Sequence, residues 1–224
     1  MRLACLFSGG KDSTYAAYIM EQAGHEVVCL VTVLPADPHS WVFHTLNLEH
    51  LPEMARALRK DLITIPSSGE EDSDLSALKG ALEDLDVEGV ITGAIASDYQ
   101  WDRINGVCES LGLKVFSPLW RKDQYMLMKD MLSAGLRTMI VGVFAEGLGE
   151  SWLGRVLDHR SLDELSSLAG SKGINVSGEG GEYETMVLDS PMHLYELRPE
   201  GMVRDYQRDS GRLHIEKLVA GPER

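Results

Sequence analysis

Short apolar runs alternate with stretches of helical period along the first two-thirds of the chain. Leu3 to Phe7 is an apolar run of strand length, and Thr14 to Ala23 follows as a helix closed by Gly24. Val27 to Leu34, carrying Val27, Val28, Val31 and Val33, predicts a second strand. Leu51 to Leu58 predicts a helix and Leu62 to Ile65 a strand stopped by Pro66. Ser73 to Leu85 predicts a helix, and Gly89 to Thr92 a strand running into Gly93. From Asp98 a helix places Trp101, Ile104, Val107, Cys108 and Leu111 on one face. A short strand at Val115-Phe116, a helix from Gln124 to Leu132 and a strand from Thr138 to Phe144 continue the series. Repeated β-α units of this kind predict an α/β fold, with a doubly wound parallel sheet that takes ligands at the carboxyl ends of its strands.

The rhythm changes around Ala145 to Gly149. A helix from Ser161 to Ser171 is expected next, with Ser161 and Glu164 spaced as a capping box. A Gly/Glu segment from Ser177 to Thr185 follows, then strand-like runs at Met202 to Gln207 and Leu213 to Val219. Asp209-Ser210-Gly211 reads as their hairpin turn. The expected division is therefore a first domain over 1–146 and a smaller C-terminal α+β domain over 147–224.

Composition changes this picture little: 44% hydrophobic and 25% charged residues are ordinary for a globular chain and exclude general disorder. Charge changes it more. The formal net charge of −14 argues against long-range attraction to nucleic acid or to an anionic membrane, although a local basic groove stays open. No stretch approaches the roughly 18 apolar residues of a membrane helix. The three cysteines, Cys5, Cys29 and Cys108, are widely spaced and form no C-x-x-C, so neither a disulfide framework nor a zinc knuckle is indicated. An intracellular, cytoplasmic protein is expected, and a homo-oligomer stays open. Pro35 to Asn47, with His39, Trp41, Phe43 and His44, reads as a loop over a site or as ordinary packing.

The strongest chemical signal is Ser8-Gly9-Gly10-Lys11-Asp12-Ser13, between the first strand and the first helix. Paired glycines let backbone approach a phosphate closely, and a helix N-terminus offers unpaired N–H groups and a positive dipole end. Lys11 adds a full charge, and Ser8 and Ser13 add hydroxyls. Asp12 fits either a helix cap or a Mg²⁺ ligand beside the phosphates. The spacing is neither G-x-x-x-x-G-K-[ST] nor G-x-G-x-x-G. The motif thus indicates a polyphosphate site without saying which bond breaks.

Two further segments carry chemistry. Gly93 to Arg103 ends a strand and starts a helix, at a strand end that should lie near the phosphate loop; Tyr99 and Arg103 share a helical face with Gln100 beside them. From spacing alone, a capped surface helix with a solvated Arg103 fits equally well. Glu179-Gly180-Gly181-Glu182-Tyr183-Glu184-Thr185 gathers three carboxylates and two glycines ahead of the strand Met186-Val187-Leu188. Like charges and ordered glycines are both unfavourable, which a bound cation would offset; a solvated acidic loop is the alternative.

The phosphate loop resembles that of the PP-loop superfamily, the N-type ATP pyrophosphatases with an adenine nucleotide alpha-hydrolase-like (HUP) fold. Together SGGKDS, GAIASDYQ with Arg103, and EGGEYET resemble the diphthine–ammonia ligase family. The likeness extends to Pro118-Leu119-Trp120 and Ser151 to Arg155. EGGEYET is the specific part of it. Asn105 departs from the pattern, standing where many members have Glu.

That resemblance implies ATP-dependent amidation, with ammonium, of the diphthine carboxylate on elongation factor 2 through an acyl-adenylate, giving AMP and pyrophosphate. It implies that Ser8, Gly9, Gly10, Lys11, Asp12, Ser13 and Gly93 bind ATP and pyrophosphate, and that Asp12 positions Mg²⁺. Lys11, Asp12, Glu182 and Glu184 would be catalytic, with the two glutamates binding ammonium and accepting its proton. Tyr99, Gln100, Arg103, Trp152, Glu179, Gly180, Gly181, Glu182, Tyr183 and Thr185 would contact substrate. The trimethylammonium of diphthine suits aromatic faces, with Tyr99, Trp101, Trp120, Trp152 and Tyr183 as candidates, although Trp101 falls on the apolar face of its helix and fits the core better. A tRNA-modifying PP-loop enzyme and a non-catalytic ATP-binding sensor are the alternatives. Against the first stand the missing C-x-x-C and the acidic balance; the sensor leaves the Glu-rich loop unexplained.

Overall fold

A computed structural model describes residues 1–35, 46–68 and 70–223, so His39, Trp41, Phe43 and His44 lie outside the described residues. Two compact units divide the chain: Met1–Ser8 with Asp12–Trp120, and Gly9–Lys11 with Arg121–Arg224.

In the first unit, β1 (Arg2–Leu6), β2 (Glu26–Pro35), β3 (Asp61–Ser67), β4 (Gly89–Ile91) and β5 (Lys114–Phe116) form a sheet in the order β3-β2-β1-β4-β5. All of its pairings are parallel. β1 is buried along Leu3–Leu6 because crossover helices cover a parallel sheet on both faces, which is why its sequence is continuously apolar. The helices are α1 (Lys11–Gln22), α2 (Leu51–Ala57), α3 (Glu71–Glu83) and α4 (Asp98–Ser110). Leu78 and Leu82 of α3 and Ile104 and Cys108 of α4 are buried in one cluster with Ala4, Leu6, Val31, Val33 and Val90 of the sheet. Strand order reverses direction between β1 and β4, so the carboxyl ends of those two strands form the switch point where such sheets take ligands. β3 runs on through Pro66, which pairs with Leu34, rather than stopping there. It is an edge strand, and an edge tolerates a residue without an N–H.

The second unit is built on the antiparallel sheet β7-β6-β9-β8, from β6 (Arg137–Val143), β7 (Tyr183–Asp189), β8 (Leu197–Gln207) and β9 (Ser210–Ala220). α5 (Gln124–Ser133) and α6 (His159–Lys172) belong to the same unit. This moves the expected boundary from residue 146 back to Trp120/Arg121. β6 was expected to extend the parallel sheet; it pairs antiparallel with both β7 and β9 instead. Its six buried residues Thr138–Val143 explain the error, since a fully buried run looks the same in either kind of sheet.

Smaller differences follow local chemistry. α6 starts two residues before the expected position because Asp158 caps it, accepting from the Ser161 amide at 2.7 Å while the Ser161 hydroxyl accepts from the Asp158 amide at 2.7 Å. Glu164, expected in that box, pairs with Arg155 and Arg160. The β8–β9 turn is Arg208-Asp209, one residue earlier than expected, with Arg208 at φ 57° and Gln207 paired to Ser210. Among the described residues no helix is long and apolar enough to cross a membrane, and all three cysteines are buried and free.

Candidate active site

Within the first unit, the chain leaves β1 still tied to β2: the Phe7 amide donates to the Val31 carbonyl at 2.9 Å, and the Thr32 hydroxyl to the Phe7 carbonyl at 2.6 Å. It then turns, with Gly9 at φ 75° in the left-handed region open to glycine, and α1 begins at Lys11. The Ser13 hydroxyl accepts from the Ser8 amide at 3.3 Å and lies 3.2 Å from the Ser8 hydroxyl, joining the end of β1 to the first turn of α1. Gly93, just past β4, approaches that turn so closely that a Cβ on it would lie 2.7 Å from the Ser13 nitrogen and 2.8 Å from the Asp12 carbonyl carbon. The structure therefore brings Ser8, Asp12, Ser13 and Gly93 together at the switch point, near which a doubly wound sheet was expected to place that strand end.

Ser97 caps α4, its hydroxyl accepting from the Gln100 amide at 3.3 Å. On the same helix Tyr99 and Arg103 do share a face, and they share a partner on α3 as well. Glu71 accepts hydrogen bonds from the Tyr99 hydroxyl and the Arg103 Nε, and the guanidinium lies 3.6 Å from the Tyr99 ring centroid. No local pattern marks Glu71, which stands 32 positions before Arg103. The Tyr99 hydrogen bond first, and the Arg103 contact second, hold the Glu71 carboxyl below the usual carboxylate range. A depressed pKa means that this carboxylate's partnership is complete above the ordinary range and is lost as pH falls through the lowered value. Followed by NMR at Glu71, the titration midpoint is expected to rise in Tyr99→Phe; an unchanged midpoint would contradict the assignment. Trp101 stacks on Trp120, centroids 5.6 Å apart, instead of joining the core cluster. The Asn105 side chain donates back to the Trp101 carbonyl at 2.7 Å, a bond within its own helix.

Within the second unit, Gly9–Lys11 are held by β7. The Val187 amide donates to the Gly9 carbonyl at 3.0 Å, and the Lys11 amide donates to the Thr185 hydroxyl at 3.2 Å. The Lys11 ammonium lies 5.4 Å from the Tyr183 ring centroid, within cation–π range, and Lys11 is 3% exposed. Tyr183 is buried, and its hydroxyl donates to the Val176 carbonyl at 2.7 Å. Glu182 accepts from the Asn175 amide and side-chain nitrogen, each at 2.7 Å, and from the Gly180 amide at 2.8 Å. Glu184 is half-buried on β7, opposite Gly142 of β6. Glu179 is half-buried, while Gly180 and Gly181 are exposed. Trp152, expected to contact substrate, is buried, and the Arg155 guanidinium lies 4.4 Å from its ring centroid. Gln124 and Asn175, which sequence reasoning passed over, bond to each other and flank this loop. No three or more His, Cys, Asp or Glu side chains gather as a metal site among the described residues.

Known proteins resemble this chain over most of its length. A family model described as the diphthamide synthase N-terminal domain matches residues 1–115, and one described as the diphthamide synthase C-terminal domain matches residues 123–220. The chain is 37% identical over 214 residues to a diphthine–ammonia ligase of Danio rerio, covering 86% of this chain and 84% of the relative. It is 35% identical over 215 residues to a diphthine–ammonia ligase of Homo sapiens, covering 86% and 80%. A solved structure from Methanocaldococcus jannaschii, described as a predicted subunit of tRNA methyltransferase, superposes with a TM-score of 0.48 at 15% identity over 85% of this chain and 98% of that one; similarity at that level says nothing of function. The two matched domains fall on either side of the division at Trp120/Arg121, and with the relatives they show that this chain belongs to the diphthamide synthase family.

Proposed function

We propose that the protein amidates the diphthine carboxylate of elongation factor 2, consuming ATP and ammonium and releasing AMP and pyrophosphate. One observation carries this reading beyond family membership. The strand bearing EGGEYET is the one that binds the phosphate loop, through Thr185 to Lys11 and Val187 to Gly9. The segment specific to the family and Gly9–Lys11 of the phosphate loop are thus parts of one compact unit.

The chemistry accounts for the nucleotide. A carboxylate is a poor electrophile, and ammonia does not displace oxide from it. Attack of a carboxylate oxygen on the α-phosphorus of ATP expels pyrophosphate and leaves a mixed anhydride with AMP. Ammonia then attacks the carbonyl, a proton is lost from nitrogen, and AMP departs. Gly9, Gly10, Lys11 and Ser13 are assigned to the pyrophosphate portion as negative charge moves onto it. Ser8 and Gly93 shape the loop that presents them. Asp12 is a single carboxylate, a donor set suited to a Mg²⁺ that takes its other oxygens from phosphates and water. Such an ion would neutralise phosphate charge. Glu184 is assigned the proton of ammonium, because only neutral ammonia is nucleophilic.

Tyr99, Gln100 and Arg103 are assigned to the protein substrate. The rings of Tyr99, Tyr183 and Trp152 each already have a cation of the protein over them. The aromatic contact to trimethylammonium is therefore assigned to the Trp101–Trp120 pair. Elongation factor 2 as substrate places the protein in the cytoplasm.

The test is nucleotide analysis after incubation with ATP, Mg²⁺ and ammonium, with and without elongation factor 2 bearing diphthine. The expected result is AMP formed only with that factor, in step with replacement of the acid by the amide in the peptide mass. AMP formed with tRNA instead, or ADP, or no turnover with the factor, would overturn the proposal.

A further inference from the structure

The three carboxylates of EGGEYET invite one common role as a cation site, but Glu182 is differently placed. Its Oε1 accepts from both the amide and the side-chain nitrogen of Asn175, and its Oε2 accepts from the Gly180 amide. Three charge-assisted hydrogen bonds occupy most of the roughly four lone-pair positions of a carboxylate. The same loop is closed a second time by the Tyr183 hydroxyl on the Val176 carbonyl. Gly178 lies under the Tyr183 ring so closely that a Cβ there would be 2.9 Å from it. Outside the loop, Gln124 of α5 donates to the Asn175 side chain at 3.0 Å, and its oxygen accepts from the Ser177 amide at 3.2 Å and hydroxyl at 3.0 Å. The Glu182 carbonyl accepts from the Phe144 amide at 2.8 Å, fixing the start of β7 beside the end of β6.

β7 is what holds the phosphate loop. Tyr183, directly after Glu182, places its ring beneath the Lys11 ammonium; Thr185 accepts from the Lys11 amide; and Val187 donates to Gly9. We propose that Glu182 is a positioning residue for nucleotide binding, locking the loop of residues 175–182 so that Tyr183 and Thr185 hold Lys11 in place, and that it does not bind ammonium. Gln124 and Asn175 complete the lock. The proposal rests on the assignment of Lys11 to pyrophosphate and departs from the ammonium role that the acidic motif suggests.

Two measurements separate these roles in the full chain. In Glu182→Gln the side chain keeps one acceptor oxygen but turns an NH₂ toward a donor; Asn175→Ala removes one donor and the partner of Gln124. Loss of a hydrogen bond to a charged group is of a size to weaken binding of a non-hydrolysable ATP analogue by roughly tenfold or more. That loss is expected in both variants, with the KM for ammonium in diphthine amidation within about twofold of wild type, a span of under 0.5 kcal/mol. Amide exchange at Lys11 and Val187 is expected to quicken, although Lys11 lies far from Glu182 in sequence. A rise in the ammonium KM with unchanged analogue binding, or unchanged exchange at both amides, would overturn the proposal.

If Glu182→Gln does not fold, Gln124→Ala carries the test, because it leaves all three donors to Glu182 in place. Its expected signature is the same with smaller amplitude, and wild-type behaviour in both readouts would count against the lock. If the wild-type protein makes no diphthamide, the proposed function fails, while analogue binding and amide exchange still decide the role of Glu182.

Discussion

Gly93→Ala is expected to lose ATP-dependent turnover by roughly a hundredfold, the size of effect that follows from displacing a binding group by about 1 Å. The added Cβ would stand 2.7 Å from the Ser13 nitrogen and 2.8 Å from the Asp12 carbonyl carbon. Both are backbone atoms of the first turn of α1, so no side chain can swing aside to relieve the contact. Either the helix start or the end of β4 has to move, and the first of these carries Asp12 and Ser13. Overpacking of this kind costs about 1–3 kcal/mol of stability, which a denaturant titration would register. Calorimetric titration with a non-hydrolysable ATP analogue separates loss of affinity from loss of fold. Analogue affinity within twofold of wild type in the alanine variant would show that the strand end and the phosphate loop do not act together.

Lys11→Met should lower kcat/KM for ATP by roughly 10²- to 10³-fold, in the range found when one preorganised donor to developing charge is removed. Methionine retains an unbranched apolar stem and a polarisable sulfur that packs well on aromatic rings, so the place over Tyr183 remains filled. Lys11 is 3% exposed, so a denaturant titration of the variant belongs beside the kinetics. An unchanged kcat/KM for ATP in this variant would show that Lys11 does not serve the nucleotide.

The elements of the first unit were legible because each is announced within its own residues. Val27 to Leu34 is too β-branched for a helix, and Ser8 to Ser13 carries a whole loop motif in six positions. What the sequence could not disclose lies in pairings between distant positions. Thr138–Val143 form a buried strand as expected, yet only its neighbours β7 and β9 make it antiparallel and move the domain division to Trp120/Arg121. Glu71 and Gln124 each open a helix among other polar residues, Glu70 and Asp72 beside the first and Asp123 beside the second. Their partners lie 32 positions away at Arg103 and 51 at Asn175, and no local pattern marks such a residue.

EGGEYET shows the limit from the other side. Its charge and glycine content indicated chemistry, but composition could not show that the Gly180 amide would turn toward Glu182 and engage one of the three carboxylates.

The contacts from β7 to Gly9 and Lys11 also couple binding to stability. On the proposed role of Lys11, bound nucleotide stabilises the native state that makes those contacts by RT ln(1 + [L]/Kd), or about 2.7 kcal/mol when nucleotide is a hundredfold above its Kd. Linkage is reciprocal, so an event that loosens β7 weakens nucleotide affinity by the same factor with which nucleotide resists the loosening. In a well-supplied cell the antiparallel sheet would be sturdier than in one depleted of ATP, and proteases that sample open forms would meet the difference first.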